Sequence, residues 1–305
     1  MKTVILGIFA LAGVAIAQNA GDRVVTKAPF GQHHAATTGG TQILYHGGPV
    51  LGIGAAGIPV YVIYYGSHFP ATTQPIVNAF ISGLGGTPNF DVNTTYCEAA
   101  TTNCSGSGTS ISGLLNFGGS LQDPALQGNT VNNTAVTRIL QYALTTGGLP
   151  QNDAAIYVLI TDPTVKVSGF PTSFCAYHTH STTIVAGHDI KYAVAPEPAA
   201  LGACDGNFAN GQTVTPNGDP GADEIVDSLM HEFSETATDP DINAWYASNG
   251  QENGDLCNYV YGTWSTLPSS PTTGASYNAS WNGYYWLIQW IWLNKSLPQS
   301  CSATP

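Results

Sequence analysis

The chain has 305 residues, 7 Lys plus Arg against 19 Asp plus Glu, a formal net charge of −12 and only 9% charged residues. So acidic and lysine-poor a surface argues against nucleic acid and anionic membranes as partners. No window beyond the N-terminus offers the ~18 uninterrupted apolar residues of a membrane span, and the length suits one large domain.

Met1-Lys2-Thr3, the apolar run Val4 to Val14 and Ala15-Ile16-Ala17 before Gln18 read as a secretory signal peptide over residues 1–17 with an A-x-A cleavage site. Residues 18–44 are polar, include His33-His34, show no periodicity and are expected to form an extended arm. Residues 45–305 are expected to form one domain. Its first strand is Pro59 to Gly66, β-branched and aromatic throughout. A helix follows from Thr72-Thr73-Gln74-Pro75, with Ile76, Val77, Phe80, Ile81 and Leu84 on one stripe and Gly85-Gly86 as its stop. Thr87 to Asn133 is rich in Thr, Ser, Asn and Gly and reads as irregular strands and glycosylated loops.

Val136, Ile139, Leu140, Ala143 and Leu144 predict a second helix, and Ala154 to Pro163 a second apolar strand. Further strands are expected at Phe174 to His180, Thr183 to Ala186 and Ile190 to Ala195. A third helix runs from Gly221 to Pro240 with Ile225, Val226, Leu229, Met230, Phe233 and Ala237 as its core stripe, and Tyr284 to Trp292 reads as one long aromatic strand. Alternating strands and helices predict an α/β (α+β) fold with a central mixed sheet and packed helices.

Six cysteines in an exported chain favour disulfides, and spacing favours neighbours: Cys97 with Cys104, Cys175 with Cys204, and Cys257 with Cys301. Sequons at Asn93, Asn132, Asn278 and Asn294 suit glycosylation; at Asn103 the middle residue is Cys104, which weakens it.

The sharpest chemical signal lies in the third helix. His231 and Glu235 are four apart and share a face, so they could present a nitrogen and a carboxylate to one ion. Glu232 falls where zinc proteases keep the carboxylate that activates the metal-bound water, although Glu235 stands where their second histidine would be. Glu252 and Asp255, one loop downstream, supply a third ligand, giving a zincin-like set of His231, Glu235, Glu252 and Asp255. His178 and His180 lie on one strand face and are reserve ligands, as are Asp239 and Asp241. One histidine with two carboxylates cancels the charge of Zn²⁺, which predicts a weak Lewis acid unless His178 or His180 joins. The oxygen-rich set Glu235, Asp239, Asp241, Glu252 and Asp255 would instead suit Ca²⁺.

Several ordered blocks together resemble one family: Tyr45-His46-Gly47-Gly48-Pro49, Val62 to Gly66, Phe174 to His178, His231-Glu232-x-x-Glu235 with Asp239-Pro240, Asn243 to Tyr246, Glu252-x-x-Asp255-x-Cys257, and Leu287-Ile288-Gln289. This set resembles the EXORDIUM or phosphate-induced protein family over about Tyr45 to Trp292. The resemblance implies secretion and, by analogy with plant members, association with the cell wall, while implying no defined activity. Thr238 to Asp241 and the Glu252 block resemble the microbial and fungal branch, and the family pattern carries glutamate at the position of Glu235.

Three classes of function follow. The first is a secreted zinc-dependent peptidase with a peptide or protein substrate and Glu232 as general base. The second is a noncatalytic extracellular or wall-associated protein with a structural metal site. The third is a protein that binds cell-wall polysaccharide by stacking Trp281, Trp286, Trp290 and Trp292 on sugars.

Overall fold

A computed structural model describes residues 25–29, 42–99, 104, 108–198, 202, 204–209, 211–269, 272–295 and 299–305. The expected signal peptide, most of the arm and Asn103 lie outside them. Six strands form the central sheet: β1 (Val25–Lys27), β2 (Ile58–Tyr65), β3 (Leu115–Asp123), β4 (Ile156–Thr161), β5 (Ala176–Ser181) and β6 (Ile190–Val194). Their order is β1-β5-β6-β4-β2-β3; β3, β2, β4 and β6 run parallel, while β5 is antiparallel to both of its neighbours. The sheet is therefore mixed, as the alternating pattern predicts.

Side-chain parity builds three layers. Val60, Val62 and Tyr64 of β2 and Ile156, Val158 and Ile160 of β4 face α1 (Thr73–Leu84) and α3 (Pro220–Thr238). Ile63, Tyr65, Tyr157 and Leu159 point the other way, onto α2 (Asn133–Thr145). Such strands, buried on both faces, need continuous rather than alternating apolar runs, which is what β2 and β4 carry. Asn132 caps α2 by accepting from Ala135 N (3.0 Å), and Asp219 caps α3 from Ala222 N (3.1 Å) with Pro220 in the first turn. Gly85 ends α1 where a Cβ would lie 2.3 Å from the Leu115 nitrogen, so only glycine lets β3 pass so close.

Val25–Lys27 of the expected arm is extended as strand β1 and pairs with β5, and Lys27 is buried in an ion pair with Asp227, Nζ to Oδ2 2.6 Å. Three expectations are corrected. The Thr87 to Asn133 stretch holds the nine-residue β3, whose Asn, Gly and Gln residues suit an edge strand paired on one side only. Thr183 to Ala186 is the bend between β5 and β6, with Ser181 Oγ accepting from Thr183 N. Tyr284 to Trp292 is broken: Tyr284–Trp286 pairs with Ala279–Trp281 and Ile291–Trp292 with Cys301–Ser302. Between them the amides of Ile288, Gln289 and Trp290 go to Asn278, Asp227 and Val260, because this stretch closes over α3 instead of joining a ladder.

All three disulfides form as spacing favours, Cys97–Cys104, Cys175–Cys204 and Cys257–Cys301. Trp286 and Trp292 are core residues and Trp281 donates to the Phe80 carbonyl, so the expected sugar-stacking platform is largely packing. Among the described residues, no helix is long and apolar enough to cross a membrane.

Candidate functional site

α3 is buried on every side from Gly221 to Thr238, because β5 and β6 cover one flank and the 252–292 layer the other. Its polar residues therefore face protein. His231, Glu232 and Glu235 are fully buried, and so are Glu252 on the loop that follows and His178 on β5; Asp255 keeps 15% side-chain exposure. His178 lies on the same face of the sheet as Ala176, the face that α3 covers.

The cluster has two halves that share Glu235. On one side His231 Nε2 lies 3.0 Å from Glu235 Oε1 and 3.7 Å from Asp255 Oδ1. On the other, His178 Nε2 lies 3.2 Å from Glu252 Oε2 and 3.5 Å from Glu235 Oε2. Two sets converge closely enough to hold an ion, His231 with Glu235 and Asp255, and His178 with Glu232 and Glu235; within each, one ligand atom per residue lies within 4.8 Å of the others.

The tautomer of His231 follows from its neighbours. The Gly254 carbonyl can only accept, so it fixes the Gln289 amide NH₂ toward itself (2.9 Å) and leaves Gln289 Oε1 facing His231 Nδ1 at 3.2 Å. Nδ1 therefore carries the proton, and the Nε2 lone pair points at Glu235 and Asp255. Burial, opposed by the Asp255 charge, takes the His231 pKa down to about 4, so the ring is neutral at ordinary pH. A neutral imidazole whose outer nitrogen is held by an amide is the form in which histidine binds a metal.

The carboxylates are strained in the opposite sense. Burial raises Glu235 to about 8, against the lowering effect of the Asp255 and Gly254 amides, of which Asp255 N donates to Oε1 at 3.0 Å. Burial, then the Glu235 and Asp255 charges, raise Glu232 well above the carboxylate range, and the Lys27 charge and backbone offset this only in part. This much buried negative charge demands protons or cations. Gly254 lets the loop close: a Cβ there would lie 2.9 Å from both Glu235 Oε1 and the His231 ring.

The remaining candidates fall elsewhere. His180 pairs with Asp189 (2.8 Å) in a largely buried group completed by Asp241 and Lys191, whose Nζ lies 3.1 Å from Asp189 and 3.3 Å from Asp241. Asp239 Oδ1 accepts from Asn243 N and Ala244 N and turns the chain after α3. The oxygen-rich set expected for Ca²⁺ is thus divided. Asn93 is buried, its amide donating to the Phe90 carbonyl and Ser234, so the folded chain offers it no room for a glycan; Asn278 and Asn294 also spend their amides on backbone carbonyls, while Asn132 is exposed.

Sequence reasoning missed Gln289, Lys27 and Asp227. Gln289 sits in an apolar, aromatic run, and only its polarity there could have marked it. It also missed Glu197, just beyond the end of β6, which accepts from Thr73 Oγ1 (3.1 Å) and is raised to about 8 by burial and then by the Asp219 charge.

The family described as phosphate-induced protein 1 conserved region matches residues 43–304. The Arabidopsis thaliana protein EXORDIUM-like 3 is 27% identical over 274 residues, covering 82% of this chain and 80% of its own length. EXORDIUM-like 5 of the same plant is 27% identical over 283 residues, 85% and 76% of the two chains. The Nicotiana tabacum protein PHOSPHATE-INDUCED 1 is 31% identical over 156 residues, 44% of this chain and 50% of that one. These relatives are plant proteins, so the similarity found is to the plant type and corrects the expected fungal branch. No solved structure matches. With residues 43–304 spanned by that family's conserved region, the protein belongs to the EXORDIUM and phosphate-induced protein family.

Proposed function

We propose that this is a secreted, wall-associated, noncatalytic member of the family in which the buried imidazole–carboxylate cluster is a structural divalent-cation site. The observation that carries the reading is burial: His178, His231, Glu232, Glu235 and Glu252 have no exposed surface, whereas metal-assisted hydrolysis needs an open coordination position for water and substrate. A cation there would tie together α3, β5 and the 252–257 loop, whose end Cys257 is already bound to Cys301. Zn²⁺ fits the paired imidazole and carboxylate donors. Three disulfides and the signal-like leader support export into an oxidising compartment.

The hydrolytic reading rests on Glu232, which here belongs to the His178 set and lies under the Lys27 backbone. Purified, metal-loaded protein is assayed against peptide and wall-polysaccharide mixtures, and its melting temperature is followed through chelation and zinc replacement. A reversible loss of stability on chelation with no turnover is expected. Hydrolysis that disappears in Glu232→Gln would sink the noncatalytic reading.

A further inference from the structure

We propose that the cluster is dinuclear: Glu235 bridges two divalent cations, one held with His231 and Asp255, the other with His178, Glu232 and Glu252. This deepens the cation-site reading above and rests on it.

The division is geometric. The two oxygens of Glu235 face different partners: Oε1 is 3.0 Å from His231 Nε2, and Oε2 is 3.5 Å from His178 Nε2. The two convergent sets share Glu235 and no other residue. A single ion centred among His231, Glu235 and Asp255 would leave the His178, Glu232 and Glu252 side unserved. His231 Nε2 and Glu235 Oε2 are both fully buried, aimed into the cluster, and without a hydrogen-bond partner among the described residues. A buried imidazole lone pair facing a carboxylate oxygen calls for a proton or a cation between them.

Charge leads to the same count. Glu232, Glu235, Glu252 and Asp255 carry four negative charges when ionised, and both imidazoles serve as neutral donors. One divalent ion leaves two buried charges uncompensated, whereas two divalent ions neutralise the set, and burial penalises any residual charge heavily. One imidazole per half also selects the ion class, because nitrogen donors suit zinc, iron and similar transition metals, whereas Mg²⁺ and Ca²⁺ prefer all-oxygen shells. A carboxylate bridge between two such ions, each with one terminal histidine, is chemically consistent with the donors present.

The test is metal stoichiometry on the full-length protein. Protein freed of metal with a chelator is titrated with Zn²⁺, and bound zinc is measured by elemental analysis after gel filtration. Cd²⁺-loaded protein is examined by ¹¹³Cd nuclear magnetic resonance. Two equivalents of zinc and two cadmium resonances are expected. Glu252→Gln combined with His178→Ala should keep one equivalent, while Glu235→Gln should weaken both ions. One equivalent in the wild-type protein overturns the bridge and leaves the single-ion reading standing; none overturns both. Loss of only one ion from Glu235→Gln also overturns it. Circular dichroism identifies any variant that fails to fold, and the wild-type stoichiometry decides independently of such variants.

Discussion

Replacing Lys27 with Met tests whether the strand β1 belongs to the core. Lys27 is fully buried, and its Nζ lies 2.6 Å from Asp227 Oδ2, itself 1% exposed. Breaking a buried pair by removing one partner typically costs about 3–5 kcal/mol, because a charge is left without compensation. Asp227 keeps hydrogen bonds from Tyr261 (2.9 Å) and the Gln289 amide (2.8 Å), which places Lys27→Met near the lower end, about 3 kcal/mol. At about 2–4 °C per kcal/mol for a domain of this size, the melting temperature should fall by roughly 6–12 °C. Asp227→Asn should cost a similar amount, eased slightly by the Tyr259 ring 5.0 Å from the ammonium. The double variant Lys27→Met/Asp227→Asn removes both charges and should recover most of the loss. Denaturant unfolding of the four proteins gives the cycle. A Lys27→Met cost below about 1 kcal/mol, or a double variant whose losses simply add, would refute the buried-pair argument.

Three further outcomes are expected. Gly254→Ala should lower stability by about 1–3 kcal/mol and weaken zinc binding, since its Cβ must displace Glu235 or the His231 ring, as melting and zinc titration would report. Glu197 has a folded pKa of about 8 against an ordinary 4.5, so its neutral form stabilises the fold below about 4.5, and that contribution is lost as pH rises through about 8. The melting temperature of Glu197→Gln should therefore gain on the wild type between pH 5 and 8.5, and a gap that stays constant would count against the assignment. Mass spectrometry of protein secreted from a glycosylating host should find Asn132 occupied and Asn93 bare, given their exposed and buried positions.

Helices α1 and α2 were legible because each presents one apolar stripe to a sheet, and β2 and β4 because strands covered on both sides are apolar throughout. The pairing of the cysteines followed from spacing because each bond closes a stretch of its own, separated by 7, 29 and 44 residues. The metal-type residues of α3 were legible by their four-residue spacing, but not the way in which they divide. That division depends on His178 arriving from β5, 53 positions upstream, and no local period encodes it. The edge strand β3 was hidden because half of its side chains meet solvent and so need not be apolar. Val25–Lys27 was hidden because its partner strand, Ala176 to His178, lies far along the chain, and Lys27 reads as a surface residue until Asp227 is placed beside it. The aromatic run from Tyr284 read as a strand because composition records burial and is silent on where the amides go.

The pairing of β1 with β5 also sets a clock on the maturation of the chain. Lys27 precedes its partner Asp227 by 200 residues. At a synthesis rate of about 5–20 residues per second, it waits about 10–40 s before that partner exists. The strand that closes one edge of the sheet is thus made well before the carboxylate that compensates its buried lysine. Whenever β1 is unseated, β5 offers an unpaired edge to other chains.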